Sequence, residues 1–186
     1  MRIIAGTYRS RRIQAPEGTE TRPTLDKVRE AVFSSLGGMF EGGMFLDLYA
    51  GSGANGLEAV SRGCSKAVFN DLSGRAYRTI KKNIETLGCG EQTEVYHMKD
   101  TALLNRLSGG HIQFGYVYLD PPYSGQKNIK IMNMLQDLSL LEDDARVIVE
   151  SAKEDEYPAD AGRLHRYKEA VYGITKISYY VYSEEE

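Results

Sequence analysis

The chain has few of the residues that mark disulfide-rich, metal-binding or membrane proteins. Its 186 residues include two cysteines, Cys64 and Cys89, and three histidines. Two cysteines at this spacing make neither a disulfide framework nor a zinc site, and the histidines are scattered, so we predict free thiols and no bound metal. No apolar run approaches the roughly 20 residues that a membrane-spanning helix requires. These absences exclude a disulfide-stapled domain and predict no contact with a membrane.

The chain also shows no internal repeat, no low-complexity segment and no secretory signal. Its opening, Met1–Gly6, lacks the basic head and apolar core of a signal peptide, so we expect a cytoplasmic protein. The hydrophobic fraction of 41% and the charged fraction of 26% are typical of a soluble globular protein. Nothing in the composition indicates an obligate protein partner.

Neither sign of charge dominates, since the net charge is -3, but the basic residues are unevenly distributed. Residues 1–12 contain four arginines and no acid, whereas the chain ends in three glutamates, 184–186. A basic arm on an acidic chain predicts a local contact with a polyanion, and a solubilising N-terminus is the alternative. The candidate RNA-binding residues are Arg2, Arg9, Arg11, Arg12 and Arg22.

Strand-like and helix-like patterns alternate through most of the chain. Apolar residues at helical spacing begin after Pro23, with Thr24 as the expected N-cap. Strands are then expected at 44–49, 66–70, 93–98, 116–119 and 146–150, helices at 55–62, 75–87 and 129–138, and a final hairpin at 164–171 and 174–182. This order predicts an α/β fold with a mostly parallel sheet and a C-terminal antiparallel hairpin. We divide the chain into a basic, β-rich extension at 1–23 and a Rossmann-like domain at 24–186.

A glycine-rich turn follows the first predicted strand of the domain. The segment Gly51–Gly56 matches G-x-G-x-x-G, which by itself is a weak signal shared by many nucleotide-binding proteins. Glycines permit a tight strand-to-helix turn and let a ligand approach the backbone closely.

Three acids at the ends of successive strands indicate which cofactor this turn holds. A carboxylate at Asp47 would repel a pyrophosphate but help to place a cationic amino acid. Asp71, 20 residues after Gly51, is positioned to accept hydrogen bonds from ribose hydroxyls. Asp100 is placed for the adenine amino group, and Leu72 for the adenine face. The set favours S-adenosylmethionine, with S-adenosylhomocysteine as product, over NAD. The predicted cofactor-binding residues are Asp47, Tyr49, Gly51, Ser52, Gly53, Gly56, Asp71, Leu72, Asp100 and Thr101.

The run Asp120-Pro121-Pro122-Tyr123 closes the fourth predicted strand and is the predicted catalytic motif. Two prolines stiffen the chain and offer carbonyl groups without competing N–H donors. Hydrogen bonds from an exocyclic amine to the Asp120 carboxylate and the Pro121 carbonyl would favour a more nucleophilic nitrogen, and Tyr123 would stack on the base. Such a site must receive a base that is flipped out or unpaired. The motif therefore predicts an amino-methyltransferase acting on a nucleobase.

Four segments, in this order, resemble the RsmD-like family of bacterial small-subunit (16S) rRNA guanine-N2 methyltransferases. They are Met1–Gly6, Arg22–Phe33 (RPTLDKVREAVF), Leu46–Gly63 and the D-P-P-Y run. The R-P-T-x-D part is the most discriminating, because the other motifs recur across many amino-methyltransferases. Asn55 and Asn70 depart from the family pattern, at positions where apolar residues are usual, and Asn70 puts the acid that contacts the ribose in doubt.

The resemblance implies a Rossmann-like class I S-adenosylmethionine-dependent methyltransferase with a small N-terminal extension. It implies methylation of one guanine N2 in small-subunit rRNA, within an assembling ribosomal particle. The family's cofactor residues correspond to Asp47, Gly51, Gly53, Asp71 and Asp100, and its catalytic motif to 120–123. The N-terminal arginines and Arg22 would hold RNA or shape the rim of the site.

Three other functions remain open on the sequence. D-P-P-Y is also compatible with methylation of adenine N6 or cytosine N4 in another RNA or DNA. An NAD-dependent oxidoreductase would leave Asp47 and D-P-P-Y unexplained and has no room for a separate substrate domain. A non-catalytic RNA-binding or assembly protein would have no need of Asp71 and Asp120.

Overall fold

The computed structural model describes residues 1–18, 23–122 and 126–185 of the chain. Two of the predicted site residues, Arg22 and Tyr123, lie outside these ranges. The chain separates into two compact units, Met1–Met98 and Lys99–Glu186. The division at residue 23 that the sequence suggested stays a prediction.

The described residues of the first unit form three parallel strands and three α-helices. These are α1 (Pro23–Ser35), β1 (Met44–Asp47), α2 (Ala54–Ser61), β2 (Lys66–Asn70), α3 (Gly74–Leu87) and β3 (Thr93–Tyr96), with a 3-10 turn at Gly90–Gln92. Strand β2 lies between β1 and β3 and pairs in parallel with both. The expectation that Thr24 caps α1 was wrong, because the helix already begins at Pro23. Proline suits the first helical position, since its missing N–H has no partner there in any case.

In the part of the second unit that the structure describes there are two helices and five strands. These are α4 (Asp100–Ser108), β4 (Phe114–Leu119), α5 (Gln126–Asp137), β5 (Leu141–Ala152), β6 (Asp160–Ala161), β7 (Leu164–Tyr172) and β8 (Thr175–Tyr182). Strands β4 and β5 pair in parallel, whereas β8 pairs antiparallel with both β5 and β7. The predicted α/β fold with parallel strands and a C-terminal antiparallel hairpin is confirmed.

The N-terminal segment folds back on itself and is held in place by the burial of two isoleucines. Arg2 and Arg12 form an antiparallel bridge, and Ile3 and Ile13 beside them are 0% and 5% exposed. Gly6 has a positive φ of 85° and lies so close to α2 that a Cβ there would come within 1.8 Å of the Ser61 carbonyl oxygen. The segment is therefore part of the first unit, where Gly6 is in close contact with α2.

Within the described ranges, no helix combines the length and the apolar character that crossing a membrane requires.

Candidate active site

The glycine turn links β1 to α2. Each of the three glycines of the motif is required for a different structural reason. Gly51 and Gly53 have positive φ angles of 56° and 82°, which a side chain disfavours. Gly56 packs against β2, where an added Cβ would lie 2.3 Å from a ring carbon of Phe69. The first two glycines shape the turn, and the third lets the helix approach the sheet.

Asp47 ends β1 and uses its carboxylate to hold the helix that follows. It is 2% exposed, and its Oδ2 accepts a hydrogen bond of 3.0 Å from the backbone N–H of Gly56. A carboxylate at this point also complements the positive end of the α2 dipole. The residue thus places a fixed negative charge behind the glycine turn.

Asp71 follows β2 and is connected to the same turn. Its Oδ2 accepts from the Gly51 N–H at 2.9 Å, and its Oδ1 accepts from the Ser73 N–H at 2.8 Å. The next residue, Leu72, is an apolar side chain that is 66% exposed. The structure therefore brings together Gly51, Asp71 and Leu72, which were predicted separately from their spacing.

Two buried asparagines brace this region and were not predicted as site residues. The side chain of Asn70 donates to the Met98 carbonyl at 3.0 Å and accepts from the Met98 N–H at 3.3 Å, which joins the ends of β2 and β3. The Asn83 amide donates to the carbonyls of Ser52 and Gln14, both at 2.9 Å. In the sequence, this bracing role is indicated by the asparagine at position 70, where an apolar residue is expected.

In the second unit, Asp100 begins α4 and is engaged by the protein itself. The residue is 8% exposed, its Oδ2 lies 2.9 Å from Lys127 Nζ on α5, and its Oδ1 accepts from the Thr101 N–H at 2.7 Å. The ion pair with the lysine holds the carboxylate in position. Its expected role toward adenine stays a prediction.

The predicted catalytic motif begins directly after β4. Asp120 and Pro122 are exposed and Pro121 is half-buried. Leu119, the last residue of β4, pairs with Val149 in the parallel register, and Glu150 follows Val149 within β5. Tyr123 lies outside the described residues, and its stacking role stays a prediction.

Glu150 was not predicted, and it lies in β5, the strand that pairs with β4. Tyr118, in β4 two residues before Asp120, donates from Oη to Glu150 Oε2 at 2.6 Å. Burial raises the pKa of the Glu150 carboxyl, and the hydrogen bond from Tyr118 opposes that rise. The end of the sheet beside D-P-P therefore carries a second, shielded carboxyl group.

The predicted RNA-binding arginines of the described segment are all exposed; they are Arg2, Arg9, Arg11 and Arg12. One of them, Arg11, donates from Nη2 to the Thr86 carbonyl of α3 at 2.7 Å. Among the described residues, no group of three or more His, Cys, Asp or Glu side chains is arranged to hold a metal ion.

A family model described as "Conserved hypothetical protein 95" matches residues 1–181 of the chain. The chain belongs to this family. Its members include RsmD-like proteins, so the predicted resemblance is confirmed. YlbH of Bacillus subtilis is 37% identical over 180 residues, which cover 97% of this chain and 98% of that relative.

A second relative and a solved structure extend the likeness over the whole chain. The Escherichia coli protein named Ribosomal RNA small subunit methyltransferase D is 32% identical over 185 residues, covering 100% of this chain and 90% of that relative. The solved structure of Escherichia coli yhhF is 30% identical, with a TM-score of 0.86, and the match covers 100% of this chain and 99% of that one. The predicted methyltransferase fold class is therefore confirmed for this RsmD-like chain.

Proposed function

We propose that this chain transfers the methyl group of S-adenosylmethionine to the exocyclic N2 of a guanine in small-subunit rRNA. The observation that carries the proposal is the full-length relationship to a protein named Ribosomal RNA small subunit methyltransferase D. That relationship supports rRNA methylation, and the choice of guanine N2 is the finer part of the proposal. The side chains around the glycine turn support the cofactor.

The residues of the first unit fit the chemistry of S-adenosylmethionine better than that of a dinucleotide. Asp47 presents a buried carboxylate behind the turn, where a pyrophosphate would be repelled and a cationic amino acid favoured. Asp71 is held by two backbone N–H groups and retains lone pairs for ribose hydroxyls. The exposed Leu72 offers an apolar surface for a purine.

The cofactor supplies an activated methyl group on a sulfonium, so the protein's task is mainly to position the acceptor. The lone pair of a guanine N2 is delocalised into the ring. Hydrogen bonds from its N–H groups to the Asp120 carboxylate and the Pro121 carbonyl would turn that lone pair toward the methyl group. The methyl group would pass from the sulfonium to N2 with S-adenosylhomocysteine as the leaving group, and the proton that N2 gives up would go to the Asp120 carboxylate, which is exposed to water.

The exposed arginines of the N-terminal segment would contact the phosphate backbone of the RNA. Phosphate contacts position a nucleic acid without reading its sequence. Selection of one guanine then depends on the shape of the RNA around the flipped base. We propose an assembling small ribosomal particle as the substrate.

The deciding experiment is transfer of labelled methyl from S-adenosylmethionine to small ribosomal subunits that lack the modification, with naked rRNA and DNA in parallel. Nucleoside analysis of the product should show label in N2-methylguanosine only. Label in adenine, cytosine or DNA would retain the methyltransferase chemistry and overturn the guanine assignment. Measurable cofactor binding with no label in any substrate would overturn the proposal that this chain is an rRNA methyltransferase.

A further inference from the structure

Helix α3 has an apolar side that packs into the first unit and a basic side that faces solvent. Its buried residues are Ala76, Ile80, Asn83, Ile84 and Leu87. Its exposed basic residues are Arg75, Arg78, Lys81 and Lys82, which we call the α3 cationic face. The helix contains one acid, Glu85. Burial of the apolar side accounts for the fold and leaves the cluster of positive charge unexplained.

The charge of this face is not neutralised by acids in the part of the chain that the structure describes. Among the described residues, none of the four side chains forms an ion pair with an acid. Lys81 Nζ instead lies 5.4 Å above the ring of Tyr77, which is stacked on His97. Four like charges over two helical turns repel one another. A polyanion bound to this face would therefore reduce the electrostatic repulsion between them.

The N-terminal arm runs beside the same helix. Arg11 Nη2 donates to the Thr86 carbonyl at 2.7 Å, and the Gln14 N–H donates to Asn83 Oδ1 at 2.8 Å. Residues 1–14 and α3 together contain eight basic residues and one acid, whereas the whole chain has 23 Lys and Arg against 26 Asp and Glu. The positive charge of an acidic chain is therefore concentrated on these two adjoining segments.

An open groove adjoins the last turns of α3. It has a volume of about 1030 Å³ and is lined by Arg78, Lys81 and Lys82 of the α3 cationic face, and by the chain from Gly88 to Gln92. Two acids, Glu85 and Glu91, also line it. Three of the side chains that line the groove are therefore cations of one helix.

We propose that the α3 cationic face binds the phosphate backbone of the substrate rRNA and continues the contact made by the N-terminal arm. This inference rests on the proposed function, since it takes the RNA of that reaction as the occupant. The contacts are to phosphates, which act without regard to sequence, so the face contributes affinity and orientation rather than choice of base.

The test compares two double charge reversals of equal size. Lys81→Glu/Lys82→Glu changes the α3 cationic face, and Lys153→Glu/Lys168→Glu changes two exposed lysines of the second unit as the matched control. For methyl transfer to small subunits, we expect the first variant to raise KM at least about 10-fold, with kcat and affinity for S-adenosylmethionine within about twofold of the wild type. The control should leave KM within about twofold. An equal effect of both variants on KM would overturn the inference.

Binding of labelled small-subunit rRNA at several salt concentrations separates this inference from the proposed function. Each phosphate contact contributes about 0.7 to 0.9 to the salt slope of log affinity, so loss of two should reduce the slope by about 1.5. An unchanged slope would contradict the α3 contact even if the wild type methylates rRNA. A wild type that binds RNA through α3 but never methylates it would overturn the proposed function alone. Lys81→Ala/Lys82→Ala provides the same readout if the glutamate variant does not fold.

Discussion

The carboxylate of Asp71 is fixed by two backbone N–H groups, those of Gly51 and Ser73, before any ligand is bound. Such preorganisation lowers the side-chain entropy that the protein must lose when a ligand binds. The same two bonds mean that a substitution at Asp71 affects the turn as well as the ligand. A conservative change is therefore more informative there than a truncation.

We expect Asp71→Asn to weaken binding of S-adenosylmethionine by about 10- to 100-fold, because a charged acceptor is replaced by a neutral one. Isothermal titration measures the affinity, and thermal melting checks the fold. Asp137→Asn, at an exposed position at the end of α5, is the matched control. Unchanged cofactor affinity in Asp71→Asn would show that another acid holds the ribose.

Asp120 is exposed at the end of β4, so its substitution should leave the fold intact. We expect Asp120→Ala to lower kcat by about 100-fold or more, because the exocyclic amine loses an oriented acceptor. Cofactor affinity should stay within about twofold of the wild type. A parallel loss of cofactor binding and turnover would argue against the assigned role of Asp120 at the amine.

At the scale of elements, Glu58 on α2 joins three segments of the first unit. It is 0% exposed, and its carboxylate accepts from Arg62 Nε at 2.8 Å and from the N–H groups of Ile4 and Ala5 at 3.0 and 3.1 Å. Arg29 of α1 lies 3.5 Å away through Nε and donates from Nη2 to the Arg2 carbonyl. One buried charge thus fixes the basic arm against two helices.

We expect Glu58→Gln to lower the free energy of unfolding by about 3 kcal/mol, since it leaves buried guanidinium charge uncompensated. The arm should also detach, so that trypsin cleaves after Arg9, Arg11 or Arg12 faster than in the wild type. Denaturant titration and limited proteolysis measure the two effects. Glu41→Gln, at an exposed position, is the control. Equal proteolysis rates in both variants would mean that Glu58 does not anchor the arm.

The local sequence pattern predicted most elements. It failed where contacts with a neighbouring segment determine whether an element forms or where it begins. The helix α4 was not predicted, although Leu103, Leu104 and Leu107 are buried on one of its sides. Strand β5 begins at Leu141 rather than 146, because the register shifts between Phe114 and Tyr116 of β4. That irregularity leaves Glu142–Asp144 exposed, and three consecutive acids do not indicate a strand.

At the scale of the whole molecule, the reactivity of the two thiols measures how well the folded first unit shields its interior from solvent. Cys64 and Cys89 are 1% and 2% exposed, and burial raises the pKa of Cys64 to about 12 and also raises that of Cys89. Thiol reagents attack the thiolate. Because burial raises the pKa of both thiols above the ordinary value, each has a smaller thiolate population at pH 8 in the native state than in the unfolded chain.

We expect the native protein at pH 8 to react with a thiol reagent at least about 100-fold more slowly than the unfolded chain, which should titrate two thiols. Cys89 should react before Cys64, because it lines the open groove beside α3. Cys64→Ala and Cys89→Ala assign the two phases. Rapid reaction of both thiols in native buffer would contradict the burial of these residues.

The sequence by itself determined the order of most elements, the glycine turn and the identity of the acids at the strand ends. These follow from local physics: apolar periodicity, backbone freedom at Gly51 and Gly53, and the fixed spacing from Gly51 to Asp71. Only the tertiary structure decided which groups these acids meet. Three of these contacts join residues that are distant in the chain. They are the hydrogen bond from the Gly51 N–H to Asp71, the ion pair of Lys127 with Asp100, and the hydrogen bond from the N-terminal arm to Glu58. Such pairings depend on packing between elements, which no local pattern encodes.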